Sequence, residues 1–337
     1  MACFILPASA IVLLFAFMGL YPFGTKSVLV SDMSQQYIDF FAGFRNILTG
    51  QDTLFYTWTT GMGMNFIGLY AYYLSSPFSF IVLLFPKAMI TEAVMTMVVL
   101  KVGTAGIAFS FLLKRLCGRG DISHIAFSVM YALMSYNVIY YFNVMWLDGV
   151  VLLPVVALGV IRLLEDGKAG LLLASLFVLF VANFYIAFMV VAAVFLFFLL
   201  RLFGSTEDTT AGYKLILTIC FCASVLVAGG LAAVLLLPAY HALSGSYTDL
   251  FSFRFTGDFG TKPAALLKQM FIGSYSSIRK EGSPIIYCGV MTIILLPAYF
   301  MSSEIRAKEK ILAASGLVIY LISFVSWDVA VMWHAFR

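Results

Sequence analysis

Asp32 and Asp39 lie seven residues apart, a spacing that on an α-helix turns through about 700° and leaves two carboxylates within about 20° of one face. A carboxylate in a partly dehydrated pocket can serve as general base toward an acceptor hydroxyl. The same spacing also suits two acids that simply keep an interfacial helix wet. Asp148, just after Trp146 and before Gly149, reads either as a further pocket acid or as a helix N-cap. Arg254, Lys262, Arg279 and Lys280 fall in one polar stretch, where such cations hold a phosphate or diphosphate or touch anionic headgroups. Lys101 sits inside a long apolar run. A charge there is expensive and faces the bundle interior or a cavity, in a functional role or in a structural ion pair, and Glu92 is too far along the helix to be its obvious partner. Tyr70, Tyr72, Tyr73, Tyr136, Tyr140, Tyr141, Trp58 and Trp146 suit both sugar stacking and a headgroup-level aromatic belt.

The elements that must position these residues belong to a membrane protein. Hydrophobic residues make up 63% of the chain and charged residues 11%, with a mean hydropathy of +1.02, outside the range of soluble domains. Apolar runs of roughly 20 residues recur, which predicts spanning helices rather than the short alternating segments of a barrel. The net charge of +4 is spread over short loops and so speaks for membrane orientation and against nucleic acid as a partner. The five cysteines are odd in number and lack metal-ligand spacing, so they read as packing residues. No Walker, GxSxG, HExxH or Cys/His signature is present. No metal ligand is assigned, and the sequence leaves a divalent-metal requirement open.

In chain order, residues 5–23 form an expected first span that lacks the basic start of a signal peptide. Residues 32–48 have helical period, with Met33, Tyr37, Phe40, Phe44 and Ile47 on one seam and Asp32, Gln35, Gln36 and Asp39 on another face. That predicts a helix lying in the interface. Ser76 caps an expected helix from Pro77 to Pro86, only about 15 Å long if α-helical. The next run, 89–113, ends in KRLCGRG, a basic loop assigned to the cytoplasm. Charge parity then makes 77–86 a half-depth helix on the outer side. Further spans are expected at 124–140, 150–164, two between 170 and 203 around an outer turn at Asn183, then 215–237 ending at Pro238, 284–300 and 311–325. The whole reads as a single transmembrane domain, residues 1–337, with about nine spans and two large extracytoplasmic loops at 24–88 and 239–284.

Several short motifs occur in a characteristic order: Asp32-Met-Ser-Gln-Gln36-Tyr37, Gly61-Met-Gly63, Tyr72-Tyr73-Leu-Ser-Ser76-Pro77-Phe78, Met145-Trp146-Leu147-Asp148, Asn183-Phe184-Tyr185, Gly282-Ser-Pro284 and Trp333-His334. Together they resemble the bacterial YfhO family. The resemblance implies an all-α polytopic membrane protein with a helical bundle of the C glycosyltransferase fold (GT-C) and juxtamembrane helices in the first extracytoplasmic loop. It implies a polyprenyl-phosphate-sugar-dependent glycosyltransferase of the bacterial cell membrane, active on the extracytoplasmic face. The sugar would pass to a cell-surface polymer such as teichoic acid, without any cofactor beyond the lipid-linked donor.

By position, the resemblance makes Asp32 the first choice of base, with Asp39 and Asp148 as lesser catalytic candidates. The substrate-binding expectation covers Gln36, Tyr37, Tyr72, Tyr73, Trp146, Asn183, Arg254, Lys262 and His334. Expected partners are membrane lipid, the polyprenyl-phosphate sugar, the acceptor polymer, and the enzyme and flippase that supply the donor. Because the chain ends at Arg337 just after a hydrophobic run, it is expected to be the N-terminal part of a longer protein. A transporter or flippase for a lipid-linked substrate, or a scaffold for envelope assembly, are the competing readings. A transporter would want paired broken helices and charges along a pathway through the bundle.

Overall fold

Apolar runs bounded by caps and glycines fold here almost entirely as helices, because only a helix satisfies every backbone group within its own segment where water is absent. The computed structural model describes residues 1–118, 120–204, 210–244, 263–271, 273 and 286–334. The α-helices are α1 (Ala2–Phe17), α2 (Ile38–Leu48), α3 (Phe66–Leu69), α4 (Ile90–Cys117), α5 (Ile122–Ala132), α6 (Ser135–Ile139), α7 (Leu147–Asp166) and α8 (Gly170–Ala182). They continue as α9 (Phe184–Gly204), α10 (Ala211–Leu231), α11 (Ala233–Ser244), α12 (Pro263–Gln269), α13 (Val290–Met301), α14 (Ala307–Val325) and α15 (Trp327–Trp333). The only sheet among the described residues is a two-stranded antiparallel hairpin, Tyr56–Thr57 with Met64–Asn65. The fold is that of an all-α polytopic membrane protein.

A helix stands in each of the nine expected apolar runs. Among the described residues, four stretches are long and apolar enough to cross a membrane: Lys87–Cys117, Val144–Asp166, Phe184–Gly204 and Ala211–Leu231. A fifth is added if the bent pair Phe66–Leu74 and Pro77–Leu84 counts as one span. Those two pieces meet at 99°, with Ser75 and Ser76 at the break. Ser76 is the expected cap, its hydroxyl accepting from the Phe78 N–H at 3.2 Å. The helix it starts is a 3-10 helix, Pro77–Leu84, rather than the α-helix anticipated. Eight residues at about 2.0 Å each make about 16 Å, half of a bilayer's hydrocarbon.

α4 is the central element, packed against α1, α5 and α7. Gly106 lets α1 approach: a Cβ there would lie 2.1 Å from the Cys3 carbonyl oxygen, a close contact of the kind small residues permit between membrane helices. Beside a small cluster of Leu112, Leu158 and Ile161, two large apolar clusters make up most of the core of the described residues. One gathers Phe15 of α1, Phe41 and Phe44 of α2, Leu74, Met97 of α4 and Met145. The other joins α7 through α10, including Leu163, Leu176, Phe198 and Phe221.

Three local expectations are corrected. The first span stops at Phe17 rather than residue 23, where Gly19 turns the chain at φ +69°. The seam of residues 32–48 buries Met33, Tyr37, Phe41 and Phe44, with Phe41 in the place expected for Phe40, because residues Met33–Tyr37 form a π-helical turn that takes up an extra residue. Pro238 does not end a helix; α10 breaks at Ala232 and α11 runs through Pro238 to Ser244.

Candidate functional site

The site begins at a backbone irregularity. Ser31 adopts a left-handed φ of +51°, rare for a residue with a side chain and typical of strained functional positions. The π turn that follows brings residue i+5 over residue i, and the Tyr37 hydroxyl faces Asp32 Oδ2 at 3.5 Å, a long contact. Asp32 is partly buried, whereas Asp39 and Gln36 are exposed. Burial, and then the Asp32 carboxylate, push the Tyr37 phenol well above its ordinary value, so it stays protonated.

Aromatic rings continue from Tyr37 without interruption. Tyr73 lies against Tyr37 at 5.4 Å and Phe40 at 5.0 Å between centroids, and Tyr72 meets Tyr73 edge-on at 4.6 Å. Tyr72 and Trp146 both face Tyr185, at 6.2 and 6.3 Å, and the Trp146 Nε1–H points to the Tyr72 hydroxyl at 3.4 Å. The Tyr185 hydroxyl is bonded to His334 Nδ1. Asn183 explains why these rings converge. It breaks the chain between α8 and α9 with an extended backbone, accepts from the Ile186 N–H at 2.9 Å and donates to the Tyr72 carbonyl at 2.9 Å. One fully buried asparagine therefore caps α9 and anchors the bent pair.

Behind the rings lies a buried ionic centre. Lys101 Nζ donates to Asp148 Oδ2 at 2.7 Å and to the Val144 carbonyl at 2.8 Å, and stands 5.4 Å from the Phe78 ring centroid. Ser76 Oγ donates to the other Asp148 oxygen, Oδ1, at 2.9 Å. Beside it Ser75 Oγ donates to the Ala71 and Ala182 carbonyls at 3.1 and 3.3 Å. The break in the bent pair is thus pinned to α7 and to the end of α8, with its polar groups satisfied inside protein.

Of the residues expected from the sequence, Asp32, Tyr37, Tyr72, Tyr73, Trp146, Asn183 and His334 come together in this array. Asp148 is not an N-cap. Trp146 holds that position for α7, and both oxygens of the Asp148 carboxylate accept from side chains. Arg254 and Lys262, with Arg279, Lys280 and the Gly282-Ser-Pro284 motif, lie outside the described residues. Tyr185 and Ser76 belong to the array but are not among the residues expected to bind; their sequence signal is membership of the Asn183-Phe184-Tyr185 and Tyr72 to Phe78 motifs.

The helices define a polytopic membrane protein, with this polar, aromatic cluster gathered beside the first turn of α7. The chain belongs to the family of bacterial membrane protein YfhO, whose family model matches residues 2–337, essentially its whole length. Neither the curated proteins nor the solved structures compared with it yielded a match.

Proposed function

We propose that this protein is a membrane glycosyltransferase that moves a sugar from a polyprenyl-phosphate carrier to a cell-surface glycopolymer such as teichoic acid, on the extracytoplasmic face. The observation that carries the reading is a partly buried carboxylate, Asp32, at one end of a continuous tyrosine and tryptophan surface. Aromatic faces of this kind receive the C–H faces of sugar rings while their hydroxyls bond sugar oxygens. In the reaction, Asp32 takes the proton of an acceptor hydroxyl, whose oxygen attacks the anomeric carbon as the bond from that carbon to the phosphate oxygen breaks. Polyprenyl phosphate leaves, and a single displacement inverts the anomeric centre. Arg254 and Lys262 are proposed to hold the departing phosphate. Asp39, exposed on α2, is the lesser candidate for base.

Orientation follows from charge. Lys114 and Arg115 close α4 and Lys308 and Lys310 open α14, which the positive-inside rule assigns to the cytoplasm; the aromatic array belongs to the opposite end of α4. Asp32→Asn is expected to lower transfer by about 100-fold or more while the protein still folds in the membrane. Polyprenyl-phosphate glucose, galactose and N-acetylglucosamine serve as donors in turn, and unchanged transfer overturns the assignment.

The bent pair and the buried charges also favour a second reading, a transporter or flippase for a lipid-linked substrate. Substrate movement in reconstituted vesicles that survives loss of both Asp32 and Asp39 supports that reading instead.

A further inference from the structure

Lys101 is the largest charged side chain fully buried in the described structure, and sugar transfer as proposed above leaves it without a part. Its two acceptors are spaced in a particular way. The Val144 carbonyl lies two residues before Trp146 and the Asp148 carboxylate two residues after it. One ammonium group therefore grips the chain on both sides of the tryptophan. The second Asp148 oxygen holds Ser76, four residues beyond Tyr72, which is itself the partner of Trp146. Both halves of the Trp146–Tyr72 contact are thus fixed from behind by the same ion pair.

We propose that Lys101 is a positioning residue that brackets Trp146 and, through Asp148 and Ser76, sets it against Tyr72 and Tyr185 to form the platform for the donor sugar. The proposal rests on the sugar-transfer reading for its substrate, though not for its geometry. Asp148 then belongs to the positioning device, not to the reacting atoms. A purely structural pair would need only to neutralise itself, and removing both charges would then be harmless to the site.

The test separates these cases. Lys101→Met with Asp148→Asn removes both charges and leaves Ser76 an amide oxygen as acceptor. Lys101→Arg keeps the charge but replaces the compact ammonium with a larger planar fork of different donor geometry at a fully buried site, and it decides the matter should the double variant fail to fold. Each is made in the full chain with Trp58→Phe, Trp327→Phe and Trp333→Phe, so that Trp146 is the sole tryptophan. The expected result is folded protein with red-shifted Trp146 emission, stronger acrylamide quenching, and a KM for polyprenyl-phosphate glucose raised about tenfold with a smaller change in kcat. Folded variants with unchanged Trp146 emission and unchanged KM overturn the proposal. If the unaltered chain transfers no sugar from any of the three donors, the sugar-transfer reading falls, and Trp146 emission alone still decides the positioning role.

Discussion

At one end of the α4–α7 pair, Lys101 and Asp148 meet at 2.7 Å with side chains only 1% and 3% exposed. At the other end, Arg115 meets Asp166 at the same 2.7 Å and Glu165 at 2.9 Å, and Glu165 also binds Arg201 of α9, with all four side chains between 31% and 42% exposed. Equal bond lengths conceal unlike physics. Water screens the exposed network, which saves it a desolvation cost and takes away most of its strength. The buried pair has lost water on both sides and persists because the Val144 carbonyl and Ser76 complete its bonding. The exposed end tolerates change, while the buried end dictates one arrangement, and the aromatic array lies at that end.

The contrast can be broken most directly at Lys101. Lys101→Met leaves Asp148 buried without its counter-charge and is expected to cost about 3–5 kcal/mol, read as a fall in the thermal midpoint in detergent; a wild-type midpoint ends the contrast. A smaller effect is expected from Tyr37, the phenol beside Asp32. Its proton is held more tightly in the fold than in the unfolded chain, so its contribution is complete below pH 10 and fades as pH rises through the higher folded value. Tyr37→Phe should therefore unfold less steeply than wild type on titration above about pH 10, followed by circular dichroism; identical alkaline transitions would remove Tyr37 from the account. Smallest is Arg115→Gln, for which the midpoint should stay within experimental error at high salt. A drop there as large as that of Lys101→Met would make the two ends equivalent.

The sequence makes the helices legible because apolar runs of the right length have few alternatives in a bilayer. Ser76 before Pro77 marks a helix start, and Asn183 marks the break between α8 and α9, since capping chemistry is local. The π turn at Met33–Tyr37 is not legible: its residues suit an α-helix equally well, and only tertiary packing selects the wider turn. Nor is the partner of Lys101. Asp148 lies 47 positions away, and helical spacing is silent about which face of one span meets which face of another. Pro238, where the sequence predicts a helix end, lies inside α11, a position membrane helices tolerate for proline. The aromatic array shows the same limit, its members being visible singly while their convergence depends on the Asn183 and Ser76 anchors.

Lys101 also bears on how the chain is made. It lies well inside α4, so this helix enters the bilayer carrying a charge that costs about 2.5–3.5 kcal/mol near a helix centre. Its counter-charge arrives only after α5 and α6 have been synthesised. Asp148 sits in the first turn of α7 and, 2.7 Å from Lys101, shares its depth. The ammonium of α4 thus waits for one particular later helix, and the pair acts as an address that tells α4 which neighbour completes it.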